Sequence, residues 1–152
     1  MTNWLLHLAM KALVIDEYFD IKQKVDVGFP VKDIIIITES TAAACGVGSL
    51  AHLNFESGAY TRLLGTSSTA NYVSLACIDK NTICAGSDDG RLSAIDFMSG
   101  AEIGFLDVGS TIRGIIPVGK RLIVYGGGWN SARSRSVVFV TVEQITSKQP
   151  AR

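Results

Sequence analysis

The sequence has no excess of charge of either sign, because fourteen Lys and Arg residues balance fourteen Asp and Glu residues. A protein dedicated to nucleic acid normally carries a surplus of positive charge that steers it to phosphates. The neutral balance therefore makes nucleic acid an unlikely partner, while leaving room for a local basic patch. With 47% hydrophobic and 18% charged residues in 152, the composition is that of one globular domain and not of a disordered chain.

Cysteine and histidine are scarce. Cys45, Cys77 and Cys84 form no Cys-x-x-Cys pair, and an odd number without metal-type spacing suits buried thiols in a reducing compartment. We therefore expect structural cysteines and a cytoplasmic, intracellular protein, with Cys77 and Cys84 on neighbouring strands but not in a disulfide. The only histidines are His7 and His52. His52 lies between apolar neighbours in a predicted strand, which favours a packing role over that of a general base.

Long hydrophobic runs are also missing. No segment approaches the roughly 18 apolar residues that a membrane-spanning helix needs. The apolar start of the chain is short, has no basic region before it, and is followed by Asp16 and Glu17, so we expect no signal peptide. A helical stripe with a 3.6-residue period is absent too. Residues 4–15 are the only helix candidate, and an inner strand is the other interpretation of that segment.

The chain instead consists of short apolar runs, rich in Ile, Val, Leu and aromatic residues, that end at Gly, Ser, Asp or Asn. This pattern is typical of strands separated by turns. It predicts strands at residues 11–16, 21–27, 33–38, 41–47, 49–54, 60–64, 72–77, 82–85, 91–96, 102–107, 113–117, 121–125 and 137–142.

An imperfect repeat runs through these strands. Residues 50–58 (Leu-Ala-His-Leu-Asn-Phe-Glu-Ser-Gly) echo residues 92–100 (Leu-Ser-Ala-Ile-Asp-Phe-Met-Ser-Gly), which places Gly58 and Gly100 42 positions apart. A period near 40 in a strand-rich chain indicates a radial repeat with one four-stranded blade per period. In such a blade the strands are called a to d from the axis outward.

Residues 85–96 (Ala-Gly-Ser-Asp-Asp-Gly-Arg-Leu-Ser-Ala-Ile-Asp) resemble the b–c hairpin of a WD-repeat blade. Asp89-Gly90 is a strong hairpin signal because both residues tolerate positive φ, and the Asp carboxylate can accept backbone N–H groups of the turn. Ile95-Asp96 stands where that family has Trp-Asp. The resemblance is good over residues 72–118, fair over 31–65 and weak elsewhere.

Two departures weaken this resemblance, since the sequence contains neither a Trp-Asp nor a Gly-His dipeptide. The hydrogen-bonded Asp, His, Ser/Thr and Trp tetrad of WD-repeat blades therefore cannot be assembled in full. Quinoprotein-type propellers are the rival family, because their Asp-Gly-x-Leu-x-Ala-x-Asp-x-x-x-Gly pattern fits residues 89–100 nearly as well. Their usual Trp after the glycine is missing here.

Both resemblances imply an all-β chain of propeller blades, each made of four antiparallel strands. About three blades are expected, with blade remnants at 11–27, 31–65, 72–107 and 112–142 and a C-terminal tail at 143–152. Propellers close with four to eight blades. We therefore expect the missing blades to come from a longer chain, giving a seven- or eight-bladed ring of which this is the C-terminal part, or else from self-association.

The most distinctive loop is residues 126–136, which contains Trp129, Arg133 and Arg135 among glycines and serines. A flat apolar ring and arginines that bind carboxylate or phosphate in a bidentate manner are typical of protein interfaces. We predict these three residues as the partner-binding residues. An ordinary solvated b–c loop is the alternative, because loop composition is a weak basis for a site.

Other motifs favour structural roles. Residues 46–51 (Gly-Val-Gly-Ser-Leu-Ala) match a dinucleotide fingerprint, but no helix signal or suitably placed acidic residue follows, so a b–c hairpin turn is favoured. Asp88, Asp89 and Asp96 suit hairpin capping better than metal binding.

We therefore expect no catalytic residues, no metal and no cofactor. The resemblance to WD-repeat propellers implies a non-catalytic scaffold that binds proteins or peptides through its loops. The alternative, implied by the second resemblance, is an enzyme or cofactor-binding propeller of quinoprotein type.

Overall fold

The structure is a computed structural model that describes residues 4–8, 11–15, 21–63, 71–126 and 136–146. Its strands are β1 (Trp4–Leu8), β2 (Lys11–Ile15), β3 (Ile21–Asp26), β4 (Asp33–Ile36), β5 (Thr41–Gly46), β6 (Ser49–Asn54), β7 (Tyr60–Arg62), β8 (Tyr72–Asp79), β9 (Thr82–Ser87), β10 (Arg91–Asp96), β11 (Glu102–Asp107), β12 (Ile112–Val118), β13 (Arg121–Gly126) and β14 (Ser136–Thr141). One short helix, α1 (Val142–Thr146), follows.

The strands form four antiparallel sheets in chain order, which we number one to four. The second sheet (β4–β7) and the third (β8–β11) have four strands each, whereas the first (β1–β3) and the fourth (β12–β14) have three. The opening strands of the second, third and fourth sheets contact one another, so β8 lies between β4 and β12. This is the arrangement of consecutive propeller blades, with the opening strand of each on the axis side, and it confirms the predicted all-β fold class.

The described residues contain four sheets, two with four strands and two with three. The first sheet extends further toward the N-terminus than the predicted blade remnant 11–27, because residues 4–15, the helix candidate, form the β1–β2 hairpin with Leu6 paired to Leu13. The helix interpretation is therefore wrong and the strand interpretation correct. Apolar residues occupy successive positions in this segment, which suits a strand covered on both faces and gives no single helical stripe.

Three apolar clusters hold neighbouring sheets together. Between the second and third sheets lie ten buried residues, with Leu50, Ile83 and Phe97 among the largest. The layers on either side are similar: Val25 and Leu53 belong to the cluster that joins the first and second sheets, and Leu92 to the cluster that joins the third and fourth. The core is therefore a series of layers between sheets, which is why successive apolar residues in β5 and β9 are all buried.

The sequence repeat corresponds to a structural repeat at the β6–β7 and β10–β11 turns. Asn54 Oδ1 accepts hydrogen bonds from the N–H groups of Glu56 and Ser57 at 2.9 and 3.1 Å. Asp96 Oδ1, 42 residues later, accepts the equivalent bonds from Met98 and Ser99 at 2.9 and 3.2 Å. Each turn then closes through a glycine at positive φ, Gly58 at 72° and Gly100 at 76°.

Two side chains on opening strands connect successive sheets at the same spacing. Asp33 Oδ2 accepts a hydrogen bond from the N–H of Leu75 at 2.8 Å, 42 residues away. Ser74 Oγ accepts one from the buried N–H of Ile115 at 3.1 Å, 41 residues away. Because these acceptors satisfy backbone donors of the next sheet, they set the relative height of neighbouring blades.

We expect Asp33→Ala to lower the free energy of unfolding by about 1–3 kcal/mol, because it leaves the partly buried N–H of Leu75 without its acceptor. Asp33→Asn retains a side-chain oxygen that can accept the hydrogen bond from Leu75, so we expect a smaller loss of stability. Urea unfolding followed by circular dichroism measures both differences. Equal losses in the two variants would contradict a role for this acceptor.

Helix α1 is an element that the sequence analysis does not predict. Thr141 Oγ1 accepts a hydrogen bond from the Gln144 N–H at 3.2 Å, and Gln144 Oε1 accepts one from the Thr141 N–H at 2.8 Å. This reciprocal pair is a capping box, and the Thr-x-x-Gln spacing is its sequence signal. Ile145 is fully buried in the layer between the third and fourth sheets, so α1 packs back onto the array.

Candidate functional site

The connections between strands lie at two edges of the array. One edge, here called the entry edge, is where the second, third and fourth sheets begin; it carries the connections between sheets and the turns β5–β6, β9–β10 and β13–β14. The opposite edge, here called the far edge, carries the turns β2–β3, β4–β5, β6–β7, β8–β9, β10–β11 and β12–β13. The antiparallel order of each sheet requires this division.

The predicted partner-binding residues, Trp129, Arg133 and Arg135, lie outside the described residues. The ends of their loop are described, because Gly126 pairs with Ser136 as the last pair between β13 and β14. The loop therefore leaves the entry edge from the fourth sheet. The assignment of these three side chains to partner binding stays a prediction.

A network of hydrogen bonds holds the entry edge between the second and third sheets. Asn71 forms a β-bridge with Val47 in the β5–β6 turn, and its carbonyl accepts a hydrogen bond from the Asp88 N–H at 3.1 Å. Its side-chain Nδ2 also donates to Asp88 Oδ2 at 2.7 Å. A single residue thus ties together turns from two different sheets.

The β9–β10 turn is held from its other side as well. Ser87 Oγ donates to the Asp89 carboxylate, which also accepts a bond from the Arg91 N–H at 3.2 Å. Gly90 adopts φ of 92°, and its carbonyl accepts the Val108 N–H at 2.9 Å. These contacts confirm the predicted Asp-Gly hairpin. They also hold the turn in place against the connection between the third and fourth sheets.

The described part of the entry edge carries four exposed carboxylates, Asp26, Asp88, Asp89 and Asp107. Three of them accept backbone N–H groups of their own turns; Asp107 Oδ1, for example, accepts one from the Gly109 N–H at 2.8 Å. Asp89 therefore caps its hairpin, as predicted, and so does Asp96 at the β10–β11 turn. The Asp88 carboxylate instead binds the Asn71 side chain, 17 residues away, so the prediction of hairpin capping is wrong for Asp88. Within the described ranges, no group of three His, Cys, Asp or Glu residues could hold a metal ion.

Arg91, the first residue of β10, already has partners within the third sheet. The Arg91 Nη2 lies 2.5 Å from Glu102 Oε1, and its guanidinium carbon lies 3.7 Å from the centre of the Phe105 ring. A planar guanidinium between a carboxylate and an aromatic face is well ordered. Arg91 therefore serves the outer strands of the third sheet, and Arg133 and Arg135 remain the arginines with a predicted binding role at this edge.

The dinucleotide interpretation of residues 46–51 is excluded by the geometry. Gly46 ends β5, Gly48 occupies the turn at φ of 61°, and Ser49 begins β6, so a strand follows where the fingerprint needs a helix. The favoured hairpin turn is confirmed.

The thiols are unreactive groups in this structure. Cys84 is fully buried and Cys45 nearly so, and burial raises the pKa of both thiols far above the ordinary value. Burial, followed by the charge of Asp79, also raises the pKa of Cys77. Cys84 pairs with Ala76 and not with Cys77, so the two cysteines lie on neighbouring strands but point to opposite faces of the third sheet. All three are free.

His52 packs against the neighbouring sheet. Its ring centre lies 4.5 Å from that of Phe97, whose side chain is buried in the layer between the second and third sheets. Partial burial lowers the pKa of His52 below its ordinary 6.5, because the charged imidazolium loses hydration there. The packing role favoured by the sequence agrees with this contact.

The lowered pKa of His52 predicts a pH-dependent stability. As the pH falls below 6.5, the unfolded chain takes up this proton before the folded chain does. The contribution of neutral His52 to the stability of the folded state is therefore complete above pH 6.5. It decreases as the pH falls from 6.5 to the lower pKa that His52 has in the folded state. We expect chemical unfolding between pH 5 and pH 7 to show a smaller slope of stability against pH for His52→Gln than for the parent chain. Identical slopes would contradict this assignment.

In the part of the chain that the structure describes, no helix is long and apolar enough to cross a membrane. Comparisons by sequence find no match, either among models of protein families or among curated proteins.

Comparison with solved structures finds β-propellers. The Cps50 (Swd1) β-propeller domain of Myceliophteria thermophila matches with a TM-score of 0.68 and 14% identity, covering 86% of this chain and 51% of that one. The Pan2 WD40 domain of Neurospora crassa matches with a TM-score of 0.70 and 10% identity, covering 89% and 42%. Hydrazine synthase of Kuenenia stuttgartiensis matches with a TM-score of 0.76 and 13% identity, covering 89% and 41%.

These identities show the fold alone. The chain has the fold of part of a divergent β-propeller and spans about half the length, or slightly less, of each of these three chains. Two of the three are WD-repeat or propeller domains by name, and the third is an enzyme by name, so both resemblances found in the sequence are represented.

Proposed function

We propose that the chain is a non-catalytic propeller scaffold that binds protein or peptide partners at its entry edge. The observation that carries this proposal is the double attachment of the β9–β10 turn, to Asn71 on one side and to Val108 on the other. A surface whose turns are already ordered loses little conformational entropy when a partner binds.

The fourth sheet supplies the predicted contacts of this surface. Trp129, Arg133 and Arg135 lie in the loop that leaves the entry edge between Gly126 and Ser136. Two arginines on this loop and the exposed carboxylates on the first and third sheets would present both signs of charge along one edge. A peptide with an acidic segment near an apolar side chain fits the loop, because arginine binds carboxylates in a bidentate manner and tryptophan offers a flat apolar surface.

Simultaneous replacement of Trp129, Arg133 and Arg135 by alanine tests the proposal. The matched control replaces Met98, Lys80 and Lys120, all exposed at the far edge, by alanine. Tagged versions of the three proteins are compared by quantitative mass spectrometry of the proteins that they retain from an extract. We expect a defined set of proteins to be lost only with the loop variant. Unchanged recovery with a folded loop variant would overturn the proposed binding surface.

A cofactor-binding propeller is the second candidate, and the similarity to hydrazine synthase is the observation that favours it. It predicts a visible absorbance band and an additional mass in the protein purified from its natural source. Detection of either would support this candidate over the scaffold.

We also propose an intracellular, cytoplasmic location. The three free cysteines support it, because secreted proteins usually pair their thiols. Cell fractionation followed by immunodetection would test the location, and recovery from the medium would overturn it.

A further inference from the structure

The fourth sheet buries only one of its two faces. The buried face packs on the third sheet through Ile115, Leu122, Val124 and Val140. The other face, here called the open face, consists of Ile116, Val118, Ile123, Tyr125, Val137 and Phe139. Five of these side chains are exposed large hydrophobic residues; Phe139 is 68% and Val137 60% accessible to solvent.

The residues of the open face are contiguous. Ile123 pairs with Ile116 on one side and with Phe139 on the other, so the three form a row across the sheet. Tyr125 pairs with Val137 in the next row. The Tyr125 ring lies directly against Gly114: a Cβ atom added to residue 114 would be 2.2 Å from the ring. A continuous apolar surface of this kind is rarely left in water.

The open face continues an interface that the array already uses. The second and third sheets are each covered on both faces by neighbouring sheets through apolar layers of the same composition. The open face is therefore suited to packing against one more propeller sheet.

The first sheet lies at the other end of the array, where β1 contacts β4 of the second sheet. Its strands β1 and β2 have apolar residues at most positions, as do the strands that already pack between sheets.

The proportion of a propeller present in one chain agrees with a pair. One chain covers 51% of the matched β-propeller domain and 42% of the matched WD40 domain. We propose that two copies of this chain associate head to tail, each packing its open face against the first sheet of the other, and so complete a ring with two-fold symmetry. A head-to-tail contact closes at two copies when it relates them by a half-turn; both open faces are then covered, and no filament can grow.

The solution mass of the 152-residue chain, measured by light scattering over a range of concentrations, tests this proposal first. We expect twice the 16.2 kDa of one chain, with dissociation only on dilution. A mass of one chain at every concentration would overturn it. So would a broad distribution of larger masses, which would indicate an open array that is completed by other blades.

Phe139→Glu tests the open face, with Met98→Glu as the matched control, because Met98 is 75% exposed but lies in the β10–β11 turn. A carboxylate in an apolar interface is poorly solvated, so we expect Phe139→Glu to give single chains and Met98→Glu to leave the pair intact. Circular dichroism establishes that both variants are folded. A folded Phe139→Glu variant that remains paired would overturn the proposal.

Discussion

Phe97→Ala is expected to lower the free energy of unfolding by about 3–5 kcal/mol. The Phe97 side chain is 1% exposed and belongs to the layer between the second and third sheets, where it also contacts the His52 ring. Its removal leaves a cavity that the neighbouring sheets can fill only partly, because both are held at their opening strands by the hydrogen bond between Asp33 and Leu75. Urea unfolding monitored by circular dichroism measures this loss.

Met98→Ala is the matched control for Phe97→Ala. The two residues are neighbours in sequence, but Met98 is exposed, so we expect its replacement to change the stability by no more than about 0.5 kcal/mol. The Phe97→Ala variant should also bring the pKa of His52 closer to its ordinary value, as measured by NMR, because the ring becomes better hydrated. If Phe97→Ala lost no more stability than Met98→Ala, the burial of Phe97 between the second and third sheets would be contradicted.

Gly46→Ala is expected to lower the free energy of unfolding by about 3 kcal/mol, at the upper end of the range for overpacking. A Cβ at this position would lie 2.3 Å from the carbonyl oxygen of Pro30 and 2.8 Å from Cδ2 of Phe29. The carbonyl belongs to the backbone that leads into β4, so relief requires that connection to move. Thermal and urea unfolding measure the loss.

Gly119→Ala distinguishes this close approach from a general effect of adding a methyl group. A Cβ on Gly119 meets nothing within 4 Å, but the residue adopts φ of 60°. Gly119→Ala therefore adds only the strain of a left-handed backbone at a residue with a Cβ, which lowers the free energy of unfolding by about 1 kcal/mol. If Gly46→Ala were no more destabilising than Gly119→Ala, the close packing of the β3–β4 connection against Gly46 at the end of β5 would be contradicted.

The features that sequence analysis predicted well depend on residues close together in the chain. The β10–β11 turn forms through Asp96, Ser99 and Gly100, which lie within five positions of one another. The same is true of the β9–β10 hairpin at Asp89 and Gly90. Because such turns depend on local hydrogen bonds and on positive φ, their residues can be recognised without any knowledge of the rest of the structure.

Two features were missed or misread for different reasons. Residues 4–15 carry apolar side chains at successive positions, a pattern that does not distinguish a strand covered on both faces from a buried helix. Helix α1 has only one local signal, the capping-box spacing of Thr141 and Gln144, and is too short to show a helical period. The candidate loop with Trp129, Arg133 and Arg135 rests on composition alone.

By itself the sequence determined the strand-and-turn order, the period near 40 and hence the propeller type of fold, because alternation, turn chemistry and repetition are properties of neighbouring residues. Only the tertiary structure decided how the sheets are connected. The acceptors Asp33 and Ser74 and their donors lie about 40 residues apart. The tertiary structure also separated Ile115 from Ile116, one buried against the third sheet and one on the open face. Both are isoleucines in one strand, and the difference between them arises from which sheet lies beside each face.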